Sequence, residues 1–442
     1  LKIPSLVATP LTMKSVLLPS SSLFPRQLHS PYTSKLLRYS SYRIPSGSSL
    51  IPKNSVPRPN SIRASSSAAI PIPDRDPGPL RDPISDSKQK RKQATIAGVI
   101  QDELLEPELL ADPDSLFRDF RGVKIHHHVY ESTTPSSSNS SSSSCSSPVI
   151  LLHGFAASVS SWKPAMKPLS QSINSPVLAF DRPAFGLTSR VDPRVHIPNP
   201  YSMAFSVLLT LHFIDSLTPN KAVLIGHSAG CIVAVNTYFK YPHRISALIL
   251  VAPAIFAPNQ KPLRTNLFVK FFASIAKTMI LILKTLSHYA WVVYKKALSL
   301  FLNSSFFVFL IRVSIDKFGV AAVRNAWYDR RKMTEESING YLKPLKAKGW
   351  DKALAAFVSA MVLAEESEDA DSLGTRMRGI SCPVMVITGD SDRIVPAWNA
   401  RKLADVIPGC SLEVIEKCGH LPHEEKLHEF VSAVSTFLTD RL

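Results

Sequence analysis

The sequence predicts an α/β fold: a mostly parallel β-sheet covered by helices, with a helical cap inserted between two of its strands. Three observations carry that expectation. Six short runs of Val, Ile and Leu recur with helical stretches between them, and one strand-turn-helix passage sets small residues around a single serine. The alternation also lapses between residues 255 and 376 before it resumes. Continuous apolar runs fit strands buried on both faces, and helices between successive strands make those strands parallel.

In chain order, GVKIHHHVYE (122–131) alternates imperfectly and reads as an early strand, with the histidines His126 to His128 on its partly exposed surface. They have no thiol or carboxylate pattern beside them, so no metal site is expected. The stretch TPSSSNSSSSSCSS that follows cannot pack and is expected to be a solvated loop. Buried strands are then expected at PVILLHG (148–154), PVLAFD (176–181), AVLIGHS (222–228), ALILVAPA (247–254), PVMVITGD (383–390) and LEVIEKCGH (412–420). MAFSVLLTLHFIDSL and AGCIVAVNTYFKY supply helices between them. Residues 115–254 thus form the first part of a core, 255–376 the cap and 377–442 the second part. An insertion there falls at strand ends, where open sheets build their sites.

Ahead of the core, residues 71–114 read as a linker and N-terminal extension, in which QDELLEPELLADPDSLF is expected to be partly helical. Residues 1–70 contain no Asp or Glu, nine Lys or Arg, and many Ser and Pro. That is the composition of a transit peptide, and its Ser and Arg content points to the plastid, so the chloroplast is the expected location. The chain opens on Leu1, and Met13 would serve as a start for such a peptide.

With 442 residues, 45% of them apolar, the chain can bury a large core. The net charge is +17, of which the first 70 residues hold +9. No basic cluster matches a nucleic-acid reading motif, so no nucleic-acid partner is expected. The cysteines, Cys145, Cys231, Cys382, Cys410 and Cys418, show neither CxxC nor zinc spacing, which fits a reducing interior. The formal sequon at Asn139 would carry no sugar in a plastid.

GHSAG (226–230) stands between a strand and a helix, the setting of a nucleophile elbow. Such a turn strains the serine and brings strand and helix close, which Gly226 and Gly230 permit. It holds the Ser228 hydroxyl clear of the sheet beside the helix's free N–H groups. A serine needs a base, and His420 in KCGHLPHEE follows the last strand; it is favoured over His423, three residues on. His227, constrained by the turn, reads as a packing residue. The imidazole in turn needs a carboxylate, and GDSDRIVP (389–396) offers Asp390 and Asp392. Asp392, further into the loop, is favoured, with Asp390 bonding locally. The chain order Ser, Asp, His belongs to this kind of fold. In LLHGFAAS (151–158) the Phe155 N–H can join that of Ala229 as an oxyanion hole, His153 shaping the loop and Trp162 covering it.

The motifs HGF, DRPAFGLTSR, GHSAG, GDSDRIVP and CGHLPHEE together resemble those of the α/β-hydrolase superfamily over about residues 115–442. The similarity is to its capped branch, which includes epoxide hydrolases, dehalogenases, carbon-carbon bond hydrolases and plant chloroplast hydrolases. The resemblance implies Ser228 as nucleophile, Asp392 as acid, His420 as base, and Phe155 with Ala229 as oxyanion donors. It implies a chiefly structural loop around Asp181, Arg182 and Gly186. Epoxide hydrolases and dehalogenases of that branch carry aspartate at the elbow, so Ser228 speaks against their chemistry. Tyr328 and Tyr341 in the cap are expected to pack.

The expected activity is hydrolysis of a carboxylic ester with an apolar moiety, of lipid or pigment type, without metal or organic cofactor. The rival readings are thioester, carbon-carbon or epoxide hydrolysis on the same scaffold, or non-catalytic binding of a hydrophobic ligand. Between residues 216 and 315 there is no Asp or Glu, and Lys261, Arg264, Lys270, Lys277, Lys284, Lys295 and Lys296 punctuate apolar sequence. That pattern fits a lid over an apolar substrate, and also peripheral membrane association. The longest uncharged run, Ala297 to Ile311, has 15 residues, short of a bilayer span.

Overall fold

The computed structural model describes residues 94–131, 147–258, 288–364 and 372–442. The expected transit peptide, most of the linker, the serine-rich loop with Asn139 and Cys145, and the lysine-punctuated segment from Lys261 to Lys284 lie outside those residues.

Eight strands form one sheet: β1 (Leu116–Phe120), β2 (Val123–Tyr130), β3 (Val149–Leu152), β4 (Val177–Phe180), β5 (Ala222–His227), β6 (Ile245–Val251), β7 (Val384–Gly389) and β8 (Ser411–Ile415). Their order is β8-β7-β6-β5-β3-β4-β2-β1. The pairings from β4 through to β8 are parallel, and β2 and β1 run antiparallel at one end. The uncharged runs read as central strands are those with helices on both faces. Each fully buried Val, Leu or Ile there contributes about 1.5–3 kcal/mol relative to exposure. The order reverses at β3, which has β4 on one side and β5 on the other. A reversal opens a crevice at the carboxyl ends of the strands, and it places the loops after β3 and β5 side by side.

On one face lie α1 (Val159–Ile173) and, from the end of the chain, a C-terminal helix (Leu427–Arg441), with Trp162, Met166, Leu169, Phe430 and Val434 buried between helices and sheet. The other face is covered by α2 (Met203–Leu217), α3 (Ala229–Lys240) and a helix at Ala397–Val406. Serines start two of them: Ser158 Oγ accepts from the Ser160 amide and Ser202 Oγ from the Phe205 amide.

The cap occupies the connection from β6 to β7, where the alternation lapses. It contains α4 (His288–Leu302), α5 (Ser305–Ala326), α6 (Glu335–Leu342) and α7 (Trp350–Val362). Among the described residues no single helix is long and apolar enough to cross a membrane. The pair Val293–Leu302 and Ser305–Ala326, bent by 57°, passes by length and composition when taken together.

Two local expectations are refined or corrected. The stretch 101–117 is helical only over one 3-10 turn at Pro107–Leu110, and Leu116 and Phe117 already belong to β1. Its hydrogen bonds go to the cap instead. Ala97 N donates to Asp316, Trp350 Nε1 to Gln101, and Leu105 pairs with the backbone of Lys346 and Lys348. Strand β1, LFRDF, lacks an apolar run because it is the edge of the sheet. Its presence outside β2 removes His126, His127 and His128 from the surface, leaving all three buried. His126 Nδ1 lies 2.7 Å from Asp181 Oδ2, and burial pulls His127 down to about 4.

Candidate active site

The elbow follows from the close approach of three backbones. Ser228 has φ 50° and ψ −116° between β5 and α3, a strained conformation for a residue with a side chain. A Cβ on Gly226 would stand 2.7 Å from the Cys231 backbone, and one on Gly230 would stand 2.2 Å from the Leu152 carbonyl oxygen. Only glycine fits either place. The Ser228 hydroxyl does not cap its own helix, and the residue is half-buried.

Asp392, in the loop after β7, is fixed by two backbone amides: Oδ1 accepts from Ile394 N at 2.8 Å and Val395 N at 2.9 Å. Its Oδ2 accepts from His420 Nδ1 at 2.7 Å, so the base and acid are joined in buried surroundings. His420 is tied to the cap through its own amide, which donates to Ala326 O at 2.6 Å. Asp390 bonds within the neighbouring turn, accepting from Cys418 N. Among the described residues no hydrogen bond joins the Ser228 hydroxyl to His420. The structure joins the Asp392 carboxylate to the His420 imidazole and seats the serine on the adjoining elbow.

That adjacency is made by His227. Its Nε2 donates to the His420 carbonyl at 3.0 Å, and the two rings are 4.9 Å apart. The residue read as plain packing therefore braces the His420 loop from the position next to Ser228. Burial, then the neighbouring His423, holds His227 well below the usual imidazole range and keeps it neutral.

The loop after β3 approaches the same point. A Cβ on Gly154 would stand 3.3 Å from Ser228 Cβ. His153 donates from Nδ1 to the Gly154 carbonyl at 2.7 Å and accepts at Nε2 from Arg182 N at 3.0 Å, which fixes its tautomer and shapes the loop. Neither the Phe155 nor the Ala229 amide meets a backbone acceptor among the described residues. The first amides of a helix and of such a loop are suited to an oxyanion. Asp181, beside them, organises the following loop by accepting from Val159 N and Leu187 N. It leaves no room for a side chain at Gly186, where a Cβ would meet Asp181 Oδ2 at 1.8 Å.

Trp162 does not cover the oxyanion loop as expected. Its ring packs 4.1 Å from that of His423, deep between α1 and the C-terminal helix. His423 is fully buried behind His227 and bonded at Nε2 to Ser161 Oγ at 2.9 Å, so it has no route to the nucleophile. Tyr341 of α6 does more than pack: its hydroxyl donates to Glu424 Oε1 at 2.6 Å, and Ser161 Oγ donates to the same oxygen. Tyr328, by contrast, is exposed. Nothing local in the sequence signals that the Glu424 side chain is buried.

Burial pushes Glu424 up to about 7 from the ordinary 4.5, in spite of its two hydroxyl donors. The folded protein then holds a proton that the unfolded chain releases, so the stability contributed by this one group is full below about pH 4.5 and is lost as pH rises through about 7. The loss expected from this group is roughly 3 kcal/mol. Glu424→Gln keeps an acceptor for Tyr341 without the proton, so its stability relative to the wild type should climb over that interval. Urea unfolding of both proteins from pH 4.5 to 8 checks this, and a constant difference would refute it.

Two cavities adjoin the site. One of about 90 Å³ is lined mainly by apolar groups, including Ala156, Ala157, Phe185, Trp350 and Leu354. The other, a wider cleft of about 1030 Å³, is bordered by Ser161, Lys163, Trp327, Tyr341, Lys343 and Glu424. Ser228 borders neither, although Ala156 follows directly on the proposed oxyanion donor.

Comparison with known proteins bears on the whole arrangement. The chain is 22% identical over 291 residues to the uncharacterized hydrolase YugF of Bacillus subtilis, which covers 66% of this chain and 89% of that protein. It is 25% identical over 293 residues to a 2-hydroxy-6-oxononadienedioate/2-hydroxy-6-oxononatrienedioate hydrolase of Burkholderia vietnamiensis, covering 66% and 86%. A bacterial membrane phospholipase A of known structure shares the fold with a TM-score of 0.50 at 16% identity, covering 76% of this chain and 88% of that one. The profile of the alpha/beta hydrolase family matches residues 149–433. That match begins with β3 and takes in the elbow, the cap and the base loop, and the chain therefore belongs to the alpha/beta hydrolase family.

Proposed function

We propose that the protein is a serine hydrolase that removes an acyl group from a small, largely apolar substrate through an acyl-enzyme on Ser228. The observation that carries this reading is the strained elbow serine beside a buried imidazole whose Nδ1 is held by a carboxylate at 2.7 Å. With Nδ1–H donated to Asp392, the lone pair of His420 Nε2 is left for the serine proton. Ser228 Oγ then attacks the carbonyl carbon, the amides of Phe155 and Ala229 receive the oxyanion, and the imidazolium returns its proton to the leaving group. Water, deprotonated by the same imidazole, releases the acid. Nucleophile and base commonly come into full contact only when substrate is bound.

Two scissile bonds fit this cycle. In a carboxylic ester the acyl carbon bears oxygen, and the apolar cavity beside Ala156 suits an acyl or alcohol part of a few carbons. In a carbon-carbon hydrolase the acyl carbon bears a carbon that leaves as a stabilised carbanion and takes the proton. The relative named as a 2-hydroxy-6-oxo-dioate hydrolase, similar along 86% of its length, favours this second form. Epoxide opening is not favoured, because the elbow carries serine.

A fluorophosphonate probe should label the purified protein. Product analysis on 4-nitrophenyl esters and on a vinylogous 1,5-diketone acid should then assign the bond. A folded protein that takes no label and turns over neither class would remove the proposal.

A further inference from the structure

Arg182 is a buried cation with no carboxylate paired to it among the described residues. It is 2% exposed, stands two residues beyond β4 and donates from Nη2 to the His153 carbonyl at 3.3 Å. Its Nε is buried and meets no partner among the described residues. The neighbouring Asp181 is committed elsewhere, to His126 and to the amides of Val159 and Leu187. The guanidinium faces two rings, Phe185 of the core at 5.4 Å and Phe357 of the cap at 5.8 Å. Burial alone pulls it down to about 10. A guanidinium withdrawn from water without an anion is costly, and ring faces and one long hydrogen bond offset that cost only in part.

Its place in the sheet gives the cost a purpose. Strands β5, β3 and β4 are neighbours, with Ser228 just after the first and Arg182 just after the last. Adjacent strands are about 4.8 Å apart, and the guanidinium turns back to His153 at the end of the middle one, the strand next to that of Ser228. Phe155 forms the rim, half-exposed, with its ring 5.7 Å from Phe185 and 6.1 Å from Phe357. The charge therefore lies at the carboxyl edge of the sheet, under the cap and beside the oxyanion loop.

We propose that Arg182 is the counter-charge for a carboxylate borne by the substrate, so that the enzyme selects acyl compounds with a short apolar spacer between the attacked carbonyl and a carboxylate. The proposal rests on the acyl-enzyme reading of Ser228. Planar pairing of guanidinium with carboxylate gives such a site both charge and direction. The competing role is a purely structural clamp, in which Arg182 joins cap to core through Phe357.

The test compares kcat/KM for mono-4-nitrophenyl glutarate with that for 4-nitrophenyl butyrate, the same ester without the carboxylate. The wild type should prefer the glutarate by at least about tenfold. That ratio should fall to near one in Arg182→Gln, with Arg182→Lys between them. A ratio near one in the wild type overturns the proposal, as does an unchanged ratio in a folded Arg182→Gln. Should that variant fail to fold, the wild type alone decides: glutarate should slow fluorophosphonate labelling, less so at high salt, and glutaramide should not. Equal effects of the two overturn it. If both esters are cleaved equally, the acyl-enzyme reading stands and the carboxylate falls; if Ser228 takes no label and neither ester is cleaved, both fall.

Discussion

Ser228→Ala should lower kcat by about 10⁴- to 10⁶-fold and abolish fluorophosphonate labelling. The oxygen removed makes no cap bond to α3, so the fold should lose little with it. Alanine must still adopt φ 50° at the elbow, but serine already carries that strain in the native chain. The stability change should stay within about 1 kcal/mol. Any residual rate would come from the oxyanion amides and from substrate binding. Steady-state kinetics, labelling and thermal unfolding on the same preparation separate lost chemistry from lost folding. An alanine variant that retained more than a tenth of the wild-type kcat would show that another group is the nucleophile.

Asp392→Asn should cost about 10⁴-fold in kcat, with KM nearly unchanged. The structure says why an isosteric change is so damaging. Two amides, from Ile394 and Val395, point at Oδ1, so the asparagine must keep its carbonyl oxygen there and turn its NH₂ toward His420. Nδ1 then has to accept rather than donate, and the ring's proton moves to Nε2. An imidazole protonated at Nε2 has no lone pair for the serine proton. Asp390→Asn is the internal control. Asp390 accepts from the Cys418 amide in the neighbouring turn, and its loss of charge should change kcat by less than about tenfold. Equal effects of the two substitutions would mean that the acid has been misassigned.

Much of the core was legible because the signals are local. VLIG before and CIVAV after Ser228 could only be a buried strand and a helix, and the glycines between them could only mark close backbone approach. The carboxylate loop after PVMVITG and the histidine loop after LEVI were legible for the same reason: each follows a run too apolar to be anything but sheet. The misreadings share the opposite cause. Strand β1 carries Arg118 and Asp119 and shows no apolar run, yet it pairs along its whole length with β2 and so buries three histidines. The segment 101–117 shows no clear periodicity, because its partners, Lys346, Lys348 and Trp350, are far away in the chain.

Residue order by itself determined the layered α/β architecture, the place of the cap and which serine, aspartate and histidine stand at strand ends, since hydrophobic period and turn chemistry are properties of neighbouring residues. Only the tertiary structure decided that His227 bonds to the His420 loop, that the Glu424 carboxyl is held by Tyr341, and that Arg182 lies buried with no carboxylate paired to it among the described residues. Those facts depend on desolvation and on hydrogen-bond partners brought from distant parts of the chain. A charged residue looks the same in sequence whether water or a second helix will stand beside it.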